Sequence, residues 1–258
     1  MINLKALEES AASFGDASPF PYCVVDNFFD THIAHTLAKE FPSYDDALWH
    51  QYNNAIEVKK TFNVWNQFPP LTYQALNYFN SPEFVALLAR LFKIDSLFSD
   101  PGLNGGGWHI HKAGGKLNTH LDYSIHPKMY LQRKLNLLVY LNSDWQSAWG
   151  GKLGFWSHDA ENHQPRDLIT EVEPVFNRAV FFDTTMNSWH GLPEPIVCPE
   201  DQHRKALAVY YLTTVAEDAE VHKKALFAPS EGQKNDLEVL ELIKKRASVE
   251  TAASVYKK

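Results

Sequence analysis

The feature that most constrains the fold of this chain is a series of short β-strand candidates between residues 100 and 215. Five of them are rich in β-branched and aromatic residues and are separated by Asn, Asp, Gly and Pro: LNLLVYLN, GGKLGFW, LITEVEP, RAVFFD and KALAVYYLT. A glycine-rich stretch, PGLNGGGWHIHKAGGKLNTHLDYS, precedes them and contains further short segments. Because little helix separates the strands, the pattern predicts a sandwich or barrel and disfavours a parallel doubly wound sheet.

Helical segments flank this strand-rich region. FPYCVVDNFF predicts a strand, and THIAHTLAKEF predicts a helix that ends before Pro42. Two more helices are predicted over 71–79 and 82–92, and apolar spacing after Asp236 predicts a last helix for packing or association. We therefore expect a mainly β chain with flanking helices (α+β). A single domain over 1–258 is expected to comprise an N-terminal strand with buttressing helices (1–99), a strand core (100–215) and a C-terminal helical tail (216–258).

Charge and composition restrict the partners and the compartment. The 258 residues include 24 basic and 31 acidic side chains, and the net charge of −7 disfavours a nucleic-acid partner. No apolar run is long enough to cross a bilayer and no secretory leader is recognisable, so no membrane partner is expected. With only Cys23 and Cys198 present, we expect a reducing, cytoplasmic location. The sequence indicates neither an oligomeric state nor a role for either cysteine.

Three side chains in this region could bind one metal ion. His120 and Asp122 are two residues apart, so a strand would place both on one face. His190, in the segment NSWHG, is the third candidate. Two imidazoles and one carboxylate leave coordination positions open, which is the arrangement of non-haem iron(II) oxygenases. Further histidines are expected to line the site or support its ligands, with ordinary packing or solvation as the alternative: His109, His111 and His126.

From Gly105 to Thr213 the chain resembles the catalytic core of the prolyl-hydroxylase-like branch of the iron(II)- and 2-oxoglutarate-dependent oxygenases. The motifs occur in the family order: HLD from 120, YLNSDW from 140, GGKLGFW from 150, FFD from 181, SWHG around 190 and RKALAVYYL from 204. The resemblance implies a double-stranded β-helix core of the jelly-roll, cupin-like type. It also implies that the catalytic iron(II) is held by His120, Asp122 and His190, with 2-oxoglutarate as co-substrate and O2 as oxidant.

The resemblance further implies which residues bind 2-oxoglutarate. Arg204 matches the basic residue that binds the far carboxylate, which a guanidinium can hold through two parallel hydrogen bonds. Tyr140 matches a tyrosine that shares this carboxylate, and Leu153 matches an apolar wall. Asn136 lies on the Tyr140 face of its strand and is expected to line the pocket. The segment WHIHK departs from the pattern, since related prolyl hydroxylases often have a further co-substrate tyrosine there.

The implied function is that of a dioxygenase that hydroxylates an unactivated C–H bond and releases succinate and carbon dioxide. The alternative is a cupin-like module that binds a metal or ligand without catalysis. The substrate is left open between a peptidyl proline and a small molecule or sugar. Substrate selection is expected in residues 45–68 and in Leu103–Gly115, as a mobile lid, unless 45–68 merely packs outside the sheet. Within it, EVKK at 57–60 could hold an acidic substrate or form a solvated charge cluster.

Overall fold

The helices begin and end where the local sequence favours it. The structure is a computed structural model that describes residues 1–184 and 187–256. Ser81 Oγ accepts the backbone N–H of Phe84, and Asp236 caps the last helix in the same way. The predicted helices are confirmed. The α-helices of the described chain are α1 (Leu4–Ala11), α2 (Thr31–Lys39), α3 (Pro70–Phe79), α4 (Pro82–Phe92) and α5 (Leu237–Ala247).

The five strand candidates of the central region are confirmed, and shorter strands join them. The first strands are β1 (Tyr22–Val25), β2 (His50–Asn53), β3 (Glu57–Phe62), β4 (Phe98–Ser99), β5 (Gly107–His111), β6 (Lys116–Leu117) and β7 (His120–Leu121). The remaining ones are β8 (Gln132–Tyr140), β9 (Leu153–Asp159), β10 (Gln164–Val172), β11 (Ala179–Asp183), β12 (His190–Gly191), β13 (Arg204–Thr213) and β14 (Leu226–Phe227). Residues 45–68, for which the sequence predicted no strand or helix, contain β2 and β3.

The strands form two antiparallel sheets. The larger sheet has the order β1-β11-β8-β13-β5-β3-β2, with β4 added to β13 and β6 to β3. The smaller sheet has the order β10-β9-β12-β7-β14. Neighbouring strands of the larger sheet are often far apart in the sequence. For example, β13 (204–213) pairs with both β8 (132–140) and β5 (107–111). This arrangement confirms the mainly β class with flanking helices.

Alternating side chains fill the two faces of the larger sheet differently. On the outer face, Leu137, Val139 and Phe181 belong to a large apolar cluster that includes the helical residues Phe79 and Leu88. On the inner face, Leu138, Tyr140 and Phe182 pack with Leu153 and Phe155 of β9 in a smaller cluster. This inner cluster does not include β3 and β5, whose inward positions are polar. The space between the sheets is therefore open to polar chemistry on that side.

Candidate metal and anion site

The three candidate metal ligands converge on the smaller sheet. His120 on β7 is the direct register partner of His190 on β12, and Asp122 follows β7. The Asp122 carboxylate oxygens lie 3.8 Å from His120 Nε2 and 3.7 Å from His190 Nε2. One potential ligand atom from each residue lies within 4.8 Å of the other two. Pairing of two strands that are distant in sequence thus brings together the set expected from the sequence.

Backbone carbonyls fix the orientation of both imidazoles. The Asn118 carbonyl lies 2.9 Å from His120 Nδ1, and the Ser188 carbonyl lies 2.8 Å from His190 Nδ1. Because a carbonyl only accepts, Nδ1 carries the proton and Nε2 presents its lone pair. Burial lowers the pKa of both histidines, and for His120 the neighbouring His190 lowers it further. Both rings are therefore neutral at pH 7, which is the form that binds a metal.

Asp122 is a buried carboxylate that stays ionised. Burial by itself would raise its pKa, but nearby positive charge, above all that of Arg133, outweighs burial and holds the pKa at about 2. Arg133 Nη1 lies 3.4 Å from Asp122 Oδ1. Asp122 Oδ2 is buried without a hydrogen-bond partner among the described residues. An unsatisfied anionic oxygen beside two free imidazole nitrogens fits a divalent cation, and two histidines with one carboxylate suit iron(II).

A second charged group, Arg204, faces the same interior without a counterion. Its Nε donates to the Gly151 carbonyl at 2.6 Å, and Nη2 donates to the Tyr140 hydroxyl at 3.2 Å. Arg204 is only 4% exposed, and no carboxylate of residues 1–184 or 187–256 lies within 4.0 Å of its guanidinium. Burial lowers the pKa of Arg204. A buried guanidinium in this situation favours an anionic ligand.

One cavity connects the two groups. It has a volume of about 520 Å³ and is lined by the His-Asp-His set and by Arg204. Leu153 and Asn136 line it as expected, whereas Tyr140 is fully buried and reaches the site through its bond to Arg204. The volume lies within the range of small-molecule sites, about 300–1,000 Å³. The structure therefore places all seven sequence-predicted site residues around one space.

The three remaining histidines line the cavity outside the ligand set. His109 Nε2 lies 2.9 Å from the Gly105 carbonyl, and burial, followed by the charge of Lys59, lowers the pKa of His109 to about 3. Neither ring nitrogen of His111 has a hydrogen-bond partner within the described chain. His126 Nε2 lies 3.4 Å from Asp100 and so supports the loop after β7. All three side chains line the cavity, and their roles stay a prediction.

Arg133 is a site residue that the sequence pattern did not identify. It is 1% exposed and its guanidinium lies 3.2 Å from the ring centroid of Tyr210. A period of two from Tyr140 would turn Lys134 inward and Arg133 outward. A register irregularity opposite Tyr211 and Leu212 reverses this alternation. The sequence shows two adjacent basic residues, Arg133 and Lys134, in a largely apolar strand. It does not show which of the two faces the cavity.

Comparison with known proteins shows which family part of this chain is similar to. Residues 106–212 match the family model described as the 2OG-Fe(II) oxygenase superfamily. The chain is also similar to the prolyl 3-hydroxylase OGFOD1 of Mus musculus, with 25% identity over 197 residues. The aligned part is 76% of this chain and 33% of that protein, so the chain spans about a third of the length of this relative.

Solved structures show the same fold. A Pseudomonas putida prolyl-4-hydroxylase aligns with a TM-score of 0.53 and 18% identity, covering 80% of this chain and 98% of that one. A Trichoplax adhaerens prolyl hydroxylase in complex with a hypoxia inducible factor peptide aligns with a TM-score of 0.54 and 16% identity. The alignment covers 80% of this chain and 89% of that one. HygX of Streptomyces hygroscopicus with nickel, 2-oxoglutarate and hygromycin B bound aligns with a TM-score of 0.51 and 14% identity. The alignment covers 80% of this chain and 87% of that one. The expected double-stranded β-helix is confirmed. None of the helices in the described ranges has the length and apolarity needed to cross a membrane.

Proposed function

We propose that this chain, whose residues 106–212 match the family model described as the 2OG-Fe(II) oxygenase superfamily, is an iron(II)- and 2-oxoglutarate-dependent dioxygenase. It would hydroxylate a C–H bond of a second substrate and release succinate and carbon dioxide. The observation that carries this proposal is the shared cavity, in which a three-residue metal set and an unpaired, buried Arg204 face the same space. A passive metal-binding barrel has no need for the second feature.

The metal would be held by His120 Nε2, His190 Nε2 and a carboxylate oxygen of Asp122. Iron(II) bound there supplies the redox chemistry that activates O2. The chain's own task is to fix the three ligands. Phe227 stacks on the His120 ring at a centroid distance of 5.0 Å, and Phe182 lies 4.9 Å from the His190 ring. These aromatic contacts and the two carbonyl acceptors hold the imidazoles in place and exclude water from their outer sides.

Arg204 and Tyr140 would bind the far carboxylate of 2-oxoglutarate. Burial raises the pKa of Tyr140, so its hydroxyl keeps the proton that it can donate to an anion. The guanidinium supplies further N–H donors and the compensating charge. Leu153 and Asn136 would form the walls beside the co-substrate. Orientation of both reactants in one cavity, rather than acid or base catalysis by the protein, would be the contribution of these residues.

The prime substrate is proposed to be a peptidyl proline or a small molecule. Peptide substrates are supported by the similarity to prolyl hydroxylases, one of them in complex with a peptide. Small molecules are supported by the likeness to HygX with hygromycin B bound. We also propose that residues 1–258 act as one oxygenase domain, because helices α1–α4 share a core with the larger sheet, and the larger sheet packs on β9 of the smaller one. A reducing, cytoplasmic setting is supported by Cys23 and Cys198, which are both buried and not disulfide-bonded.

The test is turnover of 2-oxoglutarate by the purified protein with ferrous ion and O2 but without a prime substrate. We expect slow succinate formation in the wild type and none in His190→Ala. His32→Ala is the control, because His32 is an exposed residue of α2. Both variants are checked for folding by circular dichroism. Succinate formation by His190→Ala at the wild-type rate, or metal binding without any conversion in the wild type, would exclude the proposed activity.

A further inference from the structure

Two charged residues of β3 are buried rather than solvated. Glu57 is 0% exposed, and the Lys59 side chain is 14% exposed. Both line the same cavity as the metal set and Arg204. Lys and Glu are rarely buried unless they are paired or bind a ligand. The segment 57–60 is therefore not the solvated charge cluster that its composition also allowed.

Glu57 is held by the C-terminal residues. Arg246 Nε of α5 lies 3.2 Å from Glu57 Oε1, and the Tyr256 hydroxyl donates to the same oxygen. Lys59 Nζ lies 3.5 Å from the other oxygen, Oε2, which is longer than the 2.7–2.9 Å typical of a charge-assisted hydrogen bond. One carboxylate thus faces two cations. The single negative charge of Glu57 leaves one of the two positive charges uncompensated. Lys59 is held more loosely than Arg246, so its ammonium N–H groups can bind another anion.

Lys59 lies beside the proposed reaction centre. Strand β3 pairs with β5 so that Lys60 is opposite Ile110, which places Lys59 next to His111. His111 is in turn the register partner of Arg204 on β13. The charge of Lys59 also lowers the pKa of His120 and His190. Lys59 and the metal set also line the same cavity, so the ammonium group can contact a substrate held there.

The rest of the cavity has the same sign of charge. Six basic and two acidic side chains line it, although the whole chain carries −7. Arg133 is paired with Asp122, and Arg204 is assigned to the co-substrate. Lys223 and Lys224 precede β14 and have no carboxylate within 4.0 Å in the described ranges. A cavity lined mainly by one sign of charge attracts ligands of the opposite sign.

We propose that the prime substrate carries an anionic group, a carboxylate or a phosphate, and that Lys59 is a specificity residue that binds it. This inference rests on the proposed oxygenase function and narrows its substrate class. Lys223 and Lys224 add attraction at the same cavity, while Glu57 and Arg246 position Lys59. The same chemistry occurs in a phosphorylated or carboxylated small molecule and in an acidic side chain of a peptide, and the test separates these two sources.

The experiment measures binding to the protein loaded with Mn(II) and 2-oxoglutarate in the absence of oxygen. Two matched pairs of probes are titrated by calorimetry: glucose 6-phosphate against glucose, and a proline-containing peptide with flanking glutamates against the same peptide with glutamines. In at least one pair the charged member is expected to bind about tenfold or more tightly than its neutral twin. A preference in the sugar pair indicates an anionic small molecule as the substrate, and a preference in the peptide pair indicates an acidic peptide.

Variants assign the preference to Lys59. Lys59→Met should abolish it, and Lys59→Arg, which keeps the charge, should retain most of it. Lys60→Met is the matched control, because Lys60 neighbours Lys59 but donates to the Tyr44 carbonyl at 2.7 Å and does not line the cavity. Absence of a preference for the charged member in both pairs, or its persistence in a folded Lys59→Met variant, overturns the proposal.

Substrate-independent succinate formation by the wild type is measured in the same preparation. Its absence would contradict the oxygenase function itself. Succinate formation without any charge preference would contradict only the anionic substrate.

Discussion

At the scale of single residues, Arg204 shows how a buried charge indicates a ligand. Its guanidinium bonds only to a carbonyl and a phenol in the described chain, so its charge is uncompensated. Arg204→Lys would keep the charge but lose the planar pair of donors, and Tyr140→Phe would lose one donor. We expect Arg204→Lys to weaken 2-oxoglutarate binding about tenfold or more, and Tyr140→Phe to weaken it less.

Anaerobic titration of the Mn(II)-loaded protein with 2-oxoglutarate measures this effect. Manganese affinity should stay close to the wild-type value in both variants, because neither residue belongs to the metal set. Arg166→Lys serves as the control, since the Arg166 side chain is 72% exposed. Unchanged 2-oxoglutarate affinity in both site variants would mean that the anion binds elsewhere.

Arg133 stabilises a carboxylate that would otherwise be buried alone. Arg133→Met would leave Asp122 in the interior without the guanidinium at 3.4 Å. Removal of one partner of a buried ion pair typically costs about 3–5 kcal/mol. We expect a loss of this size in the free energy of unfolding of the metal-free protein, measured with urea. Added Mn(II) should restore more stability in this variant than in the wild type, because the cation replaces the missing charge.

The control for Arg133 is Arg90→Met. Arg90 forms an exposed ion pair with Glu8 at 3.5 Å, and such pairs contribute about 0–1 kcal/mol. If Arg133→Met were no more destabilising than Arg90→Met, the buried pair would not support the site.

At the scale of elements, the pairing of β3 with β5 helps to place Lys59 in the cavity that the metal set also lines. Gly107 has φ +90°, and a Cβ there would lie 2.1 Å from the Phe62 carbonyl oxygen. Gly107→Ala should therefore separate the two strands. Backbone strain of about 1–2 kcal/mol and overpacking of about 1–3 kcal/mol together predict a loss of about 2–5 kcal/mol in unfolding free energy.

Gly114→Ala isolates the contribution of backbone strain to that loss. Gly114 has φ +77° but no atom within 4 Å of an added Cβ, so only the strain of about 1–2 kcal/mol applies. Urea unfolding of both variants measures the difference. Equal losses in the two would show that the contact between β3 and β5 does not limit the fold.

Elements with a strong local pattern could be predicted from the sequence, and those defined by distant pairing could not. Helix α4 begins at Pro82 after its Ser81 cap, and β13 is a nearly continuous apolar run, so both have local signals. In contrast, β7 and β12 have two residues each and exist because His120 pairs with His190. Similarly, β3 lacks alternation because its inward residues are Glu57, Lys59 and Thr61, which line a cavity instead of a core.

At the scale of the whole molecule, the segments expected to act as a mobile lid, residues 45–68 and Leu103–Gly115, belong to the larger sheet. Both segments contribute strands to the larger sheet, β2 and β3 from the first and β5 from the second. The first segment also packs on the outer core through Trp49 and Phe68. Residues 45–68 thus line the cavity through β3 and also pack on the outer core. Their expected role in substrate selection stays a prediction.

The metal set could be predicted from the order of the sequence motifs. The positive charge of the cavity could not be predicted from the sequence. His120, Asp122 and His190 lie in segments whose sequence resembles a known family. The basic cavity is assembled from β3, β8, β13, the segment before β14 and α5, and no local pattern joins these residues. A chain with a net charge of −7 gives no indication of it. Long-range assembly therefore limits what the sequence reveals about the substrate.

The whole chain should respond to its ligands by linkage, because a ligand that binds only the folded state stabilises it. At one hundred times the dissociation constant, each ligand adds about 2.7 kcal/mol. For a chain of this size that corresponds to about 5–10 °C in the melting temperature. Under anaerobic conditions, we expect Mn(II) to raise the melting temperature of the wild type, and 2-oxoglutarate to raise it further.

Variants separate the two increments in this melting experiment. Arg204→Lys should keep the manganese increment and lose most of the 2-oxoglutarate increment, whereas His190→Ala should lose both, because in the proposed function 2-oxoglutarate would bind partly through the metal. His32→Ala should retain both increments, since His32 is exposed on α2. If Mn(II) stabilised His190→Ala as much as the wild type, the cation would bind outside the His-Asp-His set. If 2-oxoglutarate stabilised Arg204→Lys in full, the unpaired guanidinium would have another ligand, and the cavity would have to be assigned again from that ligand.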